Sequence, residues 1–148
     1  MTTATDWRTA TGVLRLATQL TDGIQEGLRS QGFDDVRPAY GFAFARISQG
    51  DATIADLAQH LAVTKQAASQ LVVQLEERGY VSKRRSPRDG RSQLLALTPR
   101  GVACTRAAEA AAATTVAKWR RTLGAASATE LDYALSVLVI PGPLRPAW

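Results

Sequence analysis

Apolar residues recur at steps of three and four along the first thirty positions of the chain. These positions are Trp7, Ala10, Leu14, Ala17, Leu20, Ile24 and Leu28. The spacing places one apolar stripe on a helix, so it predicts a long first helix over residues 7–30. Gly12, Gly23 and Gly27 lie inside this segment, and each weakens an isolated helix by about 1 kcal/mol relative to alanine. We therefore expect this helix to need tertiary or intersubunit packing.

The middle of the chain predicts three short helices. Residues 39–48 are too apolar for a loop and favour a short buried helix, although their alternating aromatic residues leave a strand open. Thr53 begins a capping-box pattern, which predicts a second short helix. Thr64 predicts the N-cap of a third helix, which ends at Gly79 because glycine readily takes the left-handed conformation that ends helices.

The periodicity changes after Gly79. Two β-like runs, YVSKRR and SQLLAL, flank the turn-forming segment SPRDGR and predict a hairpin. Thr98-Pro99 predicts the start of a long alanine-rich helix that ends near Gly124. The spacing of Ser127 and Glu130 predicts a capping box that opens a last helix.

Two short helices joined by a tight turn and followed by a hairpin are the elements of a winged helix-turn-helix. The predicted fold class is mainly α with a small β-hairpin wing, flanked by N- and C-terminal dimerisation helices. We expect one domain over residues 1–148. Its winged helix-turn-helix part covers about residues 39–98, and its dimerisation helices cover about residues 5–31 and 99–148.

Positive charge is concentrated in the predicted hairpin. The chain has a formal net charge of +5, which favours an anionic partner. Residues 78–100 carry seven basic residues against Asp89 alone: Arg78, Lys83, Arg84, Arg85, Arg88, Arg91 and Arg100. Arginines at a hairpin tip can enter a minor groove or contact its phosphates. We therefore expect Arg84, Arg85, Arg88 and Arg91 to bind DNA, and Asp89 to orient the guanidinium of Arg91.

The helix beginning at Thr64 has one apolar and one polar face. At about 100° per residue, its buried face comprises Ala67, Ala68, Leu71, Val72 and Leu75, and its outer face comprises Lys65, Gln66, Ser69, Gln70 and Val73. A recognition helix inserts such a polar N-terminal end into the major groove. Gln66 or Gln70 can pair with adenine, whereas Thr64 and Ser69 can reach phosphates or base edges. Lys65 is expected to bind a phosphate.

The residue types of the sequence argue against a metal site, a disulfide framework and an enzyme active site. Cys104 is the one cysteine and His60 the one histidine, which argues against a disulfide framework, a metal site or a redox role for Cys104. The sequence has no Gly-rich phosphate loop and no nucleophile–base pair, so we expect no cofactor and no enzyme activity. It shows no signal peptide and no apolar stretch of membrane-spanning length, which predicts a soluble cytoplasmic protein without a membrane partner.

From Thr53 to Val102 the chain closely resembles the MarR family of bacterial regulators. The matching elements are the LA pair at 57–58, the LEERGYV segment at 75–81, the DGR wing at 89–91 and the LTPRG segment at 97–101. The sequence departs from the family at Gln70, where arginine is frequent, and at Val73 and Gln74, where aspartate and arginine are common. The operator sequence of relatives therefore does not transfer to this chain.

The resemblance implies a sequence-specific DNA-binding transcriptional regulator. Such proteins are intertwined homodimers, usually repressors, that bind pseudo-palindromic operators in double-stranded DNA. Small-molecule effectors commonly release them from DNA. Six aromatic residues either line such an effector cavity or pack in the core: Trp7, Tyr40, Phe42, Phe44, Trp119 and Tyr133.

Two other readings of the basic hairpin remain. The chain could be a winged-helix protein-interaction module without specific DNA binding, but such a module needs no arginine cluster. The basic segment could instead contact a membrane surface, but segments that do so are usually amphipathic helices rather than hairpins.

Overall fold

Six helices and one two-stranded sheet make up the computed structural model, which describes residues 3–144. The helices are α1 (Thr3–Ser30), α2 (Pro38–Ser48), α3 (Ile54–Leu61), α4 (Lys65–Glu77), α5 (Pro99–Leu123) and α6 (Ala125–Leu138), and the strands are β1 (Val81–Arg85) and β2 (Gln93–Leu97). The predicted fold class, mainly α with a small β-hairpin wing, is confirmed.

The described residues form two compact units. The helical unit comprises residues 3–35 and 107–139, and the winged unit comprises residues 36–106 and 140–144. Helix α5 supplies residues to both units. The expected single domain over residues 1–148 stays a prediction.

Helix α2 supplies much of the core of the winged unit. Tyr40, Ala43, Phe44 and Ile47 are buried, and their spacing of three and four residues is that of one helical face. The segment is a helix and not a strand, because only helical periodicity gathers these four side chains on one side.

Helix α3 begins with a complete capping box. The Thr53 hydroxyl accepts a hydrogen bond from the backbone N–H of Asp56, and the Asp56 carboxylate accepts from the backbone N–H of Thr53 at 2.9 Å. The helix ends at Ala62, which takes the left-handed conformation (φ 55°). Residues 62–64 therefore form the tight turn to α4.

The wing is an antiparallel hairpin in a regular register. Val81 pairs with Leu97 at its base, and Arg85 pairs with Gln93 near its tip. A single bridge joins Ala52 to Leu95, in which the N–H of Leu95 donates to the Ala52 carbonyl at 2.7 Å. This bridge attaches the hairpin to the segment that enters α3.

The exit of α4, the base of the wing and the start of α5 meet at one junction. Gly79 takes a φ of +78°, a conformation that glycine adopts without strain. The Thr98 hydroxyl donates to the carbonyl of Gly79, and the Thr98 N–H donates to the carbonyl of Tyr80 at 3.0 Å. A Cβ on Gly101 would lie 2.3 Å from that Tyr80 oxygen, so α5 can start here only with glycine at this position.

In the helical unit, the glycines of α1 allow a close approach to α5. A Cβ on Gly23 would lie 2.2 Å from the Thr115 hydroxyl, and one on Gly27 would lie 2.3 Å from the Ala111 methyl. Gly23 and Gly27 are four residues apart on α1, and Thr115 and Ala111 are four residues apart on α5. The two contacts therefore lie one helical turn apart, and in each a glycine faces a small side chain. The close contact accounts for two glycines that weaken α1 as an isolated helix.

Helices α5 and α6 are joined by Gly124 and by one bidentate ion pair. Both Arg120 amino nitrogens lie 2.9 Å from the Asp132 carboxylate oxygens, and this hydrogen bonding lowers the pKa of Asp132 from its usual value. The predicted capping box at Ser127 is wrong, because Gly124 is the N-cap and α6 begins at Ala125. The φ of +78° at Gly124 lets the chain reverse at once, which brings Ser127 inside the helix.

We predict that Gly101→Ala destabilises the protein by about 1–3 kcal/mol, because the added methyl group forces α5 away from the Tyr80 carbonyl. Gly41→Ala in α2 is the matched control, since a Cβ there meets no atom within 4 Å. This control should be neutral or stabilising by up to about 1 kcal/mol. Denaturant unfolding measures both variants, and equal effects would show that the close contact is unimportant.

Stability should also depend on the ionisation of Asp56. Hydrogen bonds from the Thr53 backbone and side chain, together with the nearby Arg46, lower the pKa of Asp56. The stabilisation is therefore complete at neutral pH and is lost as the pH falls below about 4. Unfolding of wild type and Asp56→Ala at several pH values should show a difference that shrinks in acid. A difference that grows in acid would contradict this.

Candidate nucleic-acid interface

Helix α4 is anchored by its buried face and capped at its start. Ala68, Val72 and Leu75 have no exposed surface. The Thr64 hydroxyl oxygen accepts from the backbone N–H of Ala67 at 3.1 Å. That hydroxyl still has a proton to donate, so Thr64 can cap the helix and bind an acceptor at the same time.

The outer face of α4 carries the side chains expected from the sequence. Lys65, Gln66 and Gln70 are exposed, and Ser69 is half-buried. Ala67 was expected on the buried face but is exposed, because it lies in the first turn, where no neighbouring element covers it. The exposed amides leave donors and acceptors available at the N-terminal end of the helix.

All four arginines expected on the wing are exposed: Arg84, Arg85, Arg88 and Arg91. Arg84 pairs with Leu94 and Arg85 with Gln93 in the hairpin register. Because successive side chains of a strand point to opposite faces, Arg84 and Arg85 lie on opposite faces of the wing. The hairpin therefore presents positive charge on both of its sides.

A network of short hydrogen bonds orders the wing tip. The Ser86 hydroxyl accepts from the backbone N–H groups of Arg88 and Asp89 at 3.3 Å. The Asp89 carboxylate accepts from the Arg91 backbone N–H and from the Ser92 hydroxyl, each at 3.0 Å. These contacts define the turn by local side-chain bonding to the backbone.

The role expected for Asp89 needs a correction. Its carboxylate binds the backbone N–H of Arg91 and not the guanidinium, because an aspartate two residues before an N–H closes an Asx turn. Asp89 therefore shapes the tip, and the Arg91 side chain projects to solvent. Ser86 is not among the residues predicted for the site. Its spacing of three from Asp89 in a turn was the signal that could have found it.

The other three basic residues of this segment make contacts within the winged unit. Lys83 lies 3.0 Å from the Glu76 carboxylate. The Arg78 guanidinium donates to the Tyr40 hydroxyl, and the Arg100 guanidinium donates to the Tyr80 hydroxyl at 2.9 Å. The two tyrosines lie 38 and 20 residues from their arginines, so charge counting alone could not distinguish these arginines from the four near the tip.

These contacts tie α4 to α2 through a cluster of aromatic rings. The Tyr40 hydroxyl donates to Gln74 at 3.2 Å, and Arg78 lies over the Tyr40 ring at 5.4 Å. Phe44 contacts the ring of Tyr40 and that of Tyr80, with centroids 6.5 and 5.7 Å apart. The cluster holds the C-terminal half of α4 in place and gives Gln74 a structural partner.

The remaining candidate residues have different surroundings. Cys104 is buried, as expected for a structural residue. Tyr40 and Phe44 are core residues, whereas Trp7 and Tyr133 are exposed. Among residues 3–144, no group of three or more His, Cys, Asp or Glu side chains is arranged to hold a metal ion. Within the same residues, no helix combines the length and apolar character of a membrane span.

Comparisons with known proteins support the fold of the chain. Residues 37–92 match the sequence profile of the MarR family. Apo MarR from E. coli is 20% identical and has a TM-score of 0.71, with 88% of this chain and 96% of that chain covered. No curated protein matches the sequence significantly.

Two further solved structures contain ligands. A MarR family protein of Mycobacterium tuberculosis in complex with salicylic acid is 28% identical, with a TM-score of 0.64 over 86% of this chain and 93% of that chain. A mutant of S. aureus MepR bound to an oligodeoxyribonucleotide is 16% identical, with a TM-score of 0.64 over 93% of this chain and 96% of that chain.

The fold and the exposed basic wing define a winged helix-turn-helix protein. Residues 37–92 of its winged unit match the MarR family model and the fold is that of solved MarR family structures, so the resemblance predicted from the sequence is confirmed.

We predict that Tyr40→Phe destabilises the winged unit by about 1 kcal/mol, because it removes the hydroxyl that joins Arg78 to Gln74. Tyr133→Phe is the control, since Tyr133 is 71% exposed and its hydroxyl should contribute little. Thermal unfolding of the two variants measures the difference. Equal melting temperatures would show that the Tyr40 hydroxyl does not stabilise the placement of α4.

Proposed function

We propose that this protein is a sequence-specific DNA-binding transcriptional regulator that represses by binding a pseudo-palindromic operator as a homodimer. The observation that carries the proposal is the combination, in one winged unit, of a polar exposed face on α4 and four exposed arginines on the wing. A helix of this kind fits the major groove, and a basic hairpin fits the adjacent minor groove.

The proposed contacts divide into two kinds. Gln66 and Gln70 read base edges, because a side-chain amide can pair bidentately with adenine. Phosphate and groove contacts come from the remaining polar and basic residues: Thr64, Lys65, Ser69, Arg84, Arg85, Arg88 and Arg91. Asp89 takes part indirectly, by holding the turn that positions Arg91. Arg84 and Arg85, on opposite faces of the hairpin, are suited to opposite phosphate walls of one groove.

The exposed apolar side chains of the helical unit support the homodimer. Trp7 and Leu14 of α1 are 70% and 64% exposed, and Tyr133 and Leu138 of α6 are 71% and 74% exposed. Large apolar side chains that remain in water at two helices indicate a surface that another chain covers. A twofold dimer would present two recognition helices to the two halves of a palindrome.

Regulation by a small-molecule effector and a cytoplasmic location complete the proposal. The salicylic acid in the Mycobacterium tuberculosis relative supports an effector, although that ligand belongs to the other protein. A cytoplasmic location fits a protein whose proposed ligand is operator DNA.

The experiment that tests the function is selection from a pool of random duplexes. The purified protein is titrated onto the pool at two salt concentrations, and the bound duplexes are sequenced. We expect enrichment of a pseudo-palindrome and an affinity that falls steeply as salt rises, because phosphate binding releases counterions. Salt-sensitive binding without enrichment would instead indicate non-specific binding. No binding at either salt would favour the protein-interaction module.

Two substitutions separate the proposed roles on the selected duplex. Arg91→Ala should weaken binding to all sequences and lower the slope of log affinity against log salt by about 1, and Gln66→Ala should change the sequence preference. Arg121→Ala removes the same charge from the exposed end of α5 and serves as the control. If Arg91→Ala behaved like this control, the wing would have no place in the interface.

A further inference from the structure

Val73 is the exposed large apolar side chain of α4. It is 47% exposed, whereas its neighbour Val72 and the following Leu75 have no exposed surface. An apolar side chain left in water on an otherwise polar helix face gains free energy when another apolar group covers it. The core of the winged unit leaves Val73 about half exposed, so a group from outside this unit can cover it.

The position of Val73 on α4 matches that of the proposed base-reading residues. Val73 follows Gln66 by seven residues. At about 100° per residue this is a rotation of about 20° short of two full turns, so the two side chains leave the helix in nearly the same direction. They are about 10 Å apart along the axis, a length comparable to three base-pair steps of DNA. Gln70 lies between them on the same face and is exposed.

The charges at the end of α4 show where this face stops being suitable for DNA. Glu77 follows Val73 by one turn, is exposed, and carries a charge that phosphates repel. Glu76 is neutralised by Lys83 at 3.0 Å. Val73 is therefore the last residue on the outer face that can approach a base without bringing a carboxylate towards the DNA backbone.

The major groove offers one apolar partner. Of the base edges exposed there, only thymine presents an apolar group, its C5-methyl. Valine suits such a contact because its β-branched side chain is restricted at χ1 and loses little conformational freedom on binding. A glutamine or a lysine at this position would prefer a polar edge instead.

We propose that Val73 determines specificity by contacting the C5-methyl group of a thymine in the operator. The inference rests on the proposed function, since it needs α4 in the major groove. It adds to that function a base preference at a position where neither glutamine of α4 reads the base.

The test is replacement of thymine by uracil, one position at a time, in the selected duplex. Uracil keeps every hydrogen-bonding group of thymine and lacks only the methyl group, so a change in affinity reports that group. At the position contacted by Val73, wild type should lose about fourfold in affinity, the value for one buried methyl-sized group. Val73→Ala should bind the thymine duplex more weakly and show no further loss with uracil.

Val102→Ala is the matched control, because Val102 is 38% exposed in the first turns of α5 and lies outside α4. This variant should show the same uracil effect as wild type. Equal melting temperatures for the three proteins would confirm that affinity and not folding has changed.

The outcomes separate the inference from the function. Suppose that a pseudo-palindrome is selected but that no uracil substitution lowers the affinity of wild type, or that uracil lowers the affinity of Val73→Ala as much as that of wild type. Either result would show that Val73 does not read thymine, while the proposed function would stand. If no duplex is selected, both proposals fail.

Discussion

The junction of Gly79, Tyr80, Thr98 and Gly101 fixes the geometry on which the rest of the winged unit depends. Helix α4 ends at this junction, β1 begins there, β2 ends there and α5 starts there. The Thr98 side chain and backbone bind two successive carbonyls, and the absence of a Cβ at Gly101 lets α5 approach the second of them. Any shift of these residues would change the angle between α4 and the wing, because the end of α4 and the base of the wing are both connected to this junction.

The basic residues of this region serve two separate purposes. Arg78, Lys83 and Arg100 bind partners within the winged unit and hold α4 and the wing base in place. The four arginines nearer the tip stay exposed, and the turn that carries Arg88 and Arg91 is held by Ser86 and Asp89. In the proposed complex, an ordered tip would lose less conformational entropy on binding DNA than a flexible loop would.

Much of the organisation was predictable from local pattern. Thr53 and Thr64 cap their helices as their sequence spacing indicated, and Gly79 ends α4. These features depend on residues within one turn of each other, so the sequence around them contains the whole interaction.

The start of α6 was not predictable in this way. Ser127 and Glu130 have capping-box spacing, but the positive φ of Gly124 starts the helix three residues earlier. The outer face of α4 was placed correctly, whereas the partner of Asp89 was not, because a carboxylate chooses between a guanidinium and a backbone N–H by the geometry of the turn.

The sequence by itself determined the order of the helices and the hairpin, the concentration of positive charge on the wing and the resemblance to the MarR family. Hydrophobic periodicity, helix caps and local charge depend on residues that are close together in the sequence, so they can be recognised without knowledge of distant residues. Only the tertiary structure decided which of the seven cations bind partners within the winged unit, and why Gly23, Gly27 and Gly101 are glycines. Both answers depend on atoms that are far apart in sequence, Tyr40 beside Arg78 and Ala111 beside Gly27, and packing alone brings such atoms together.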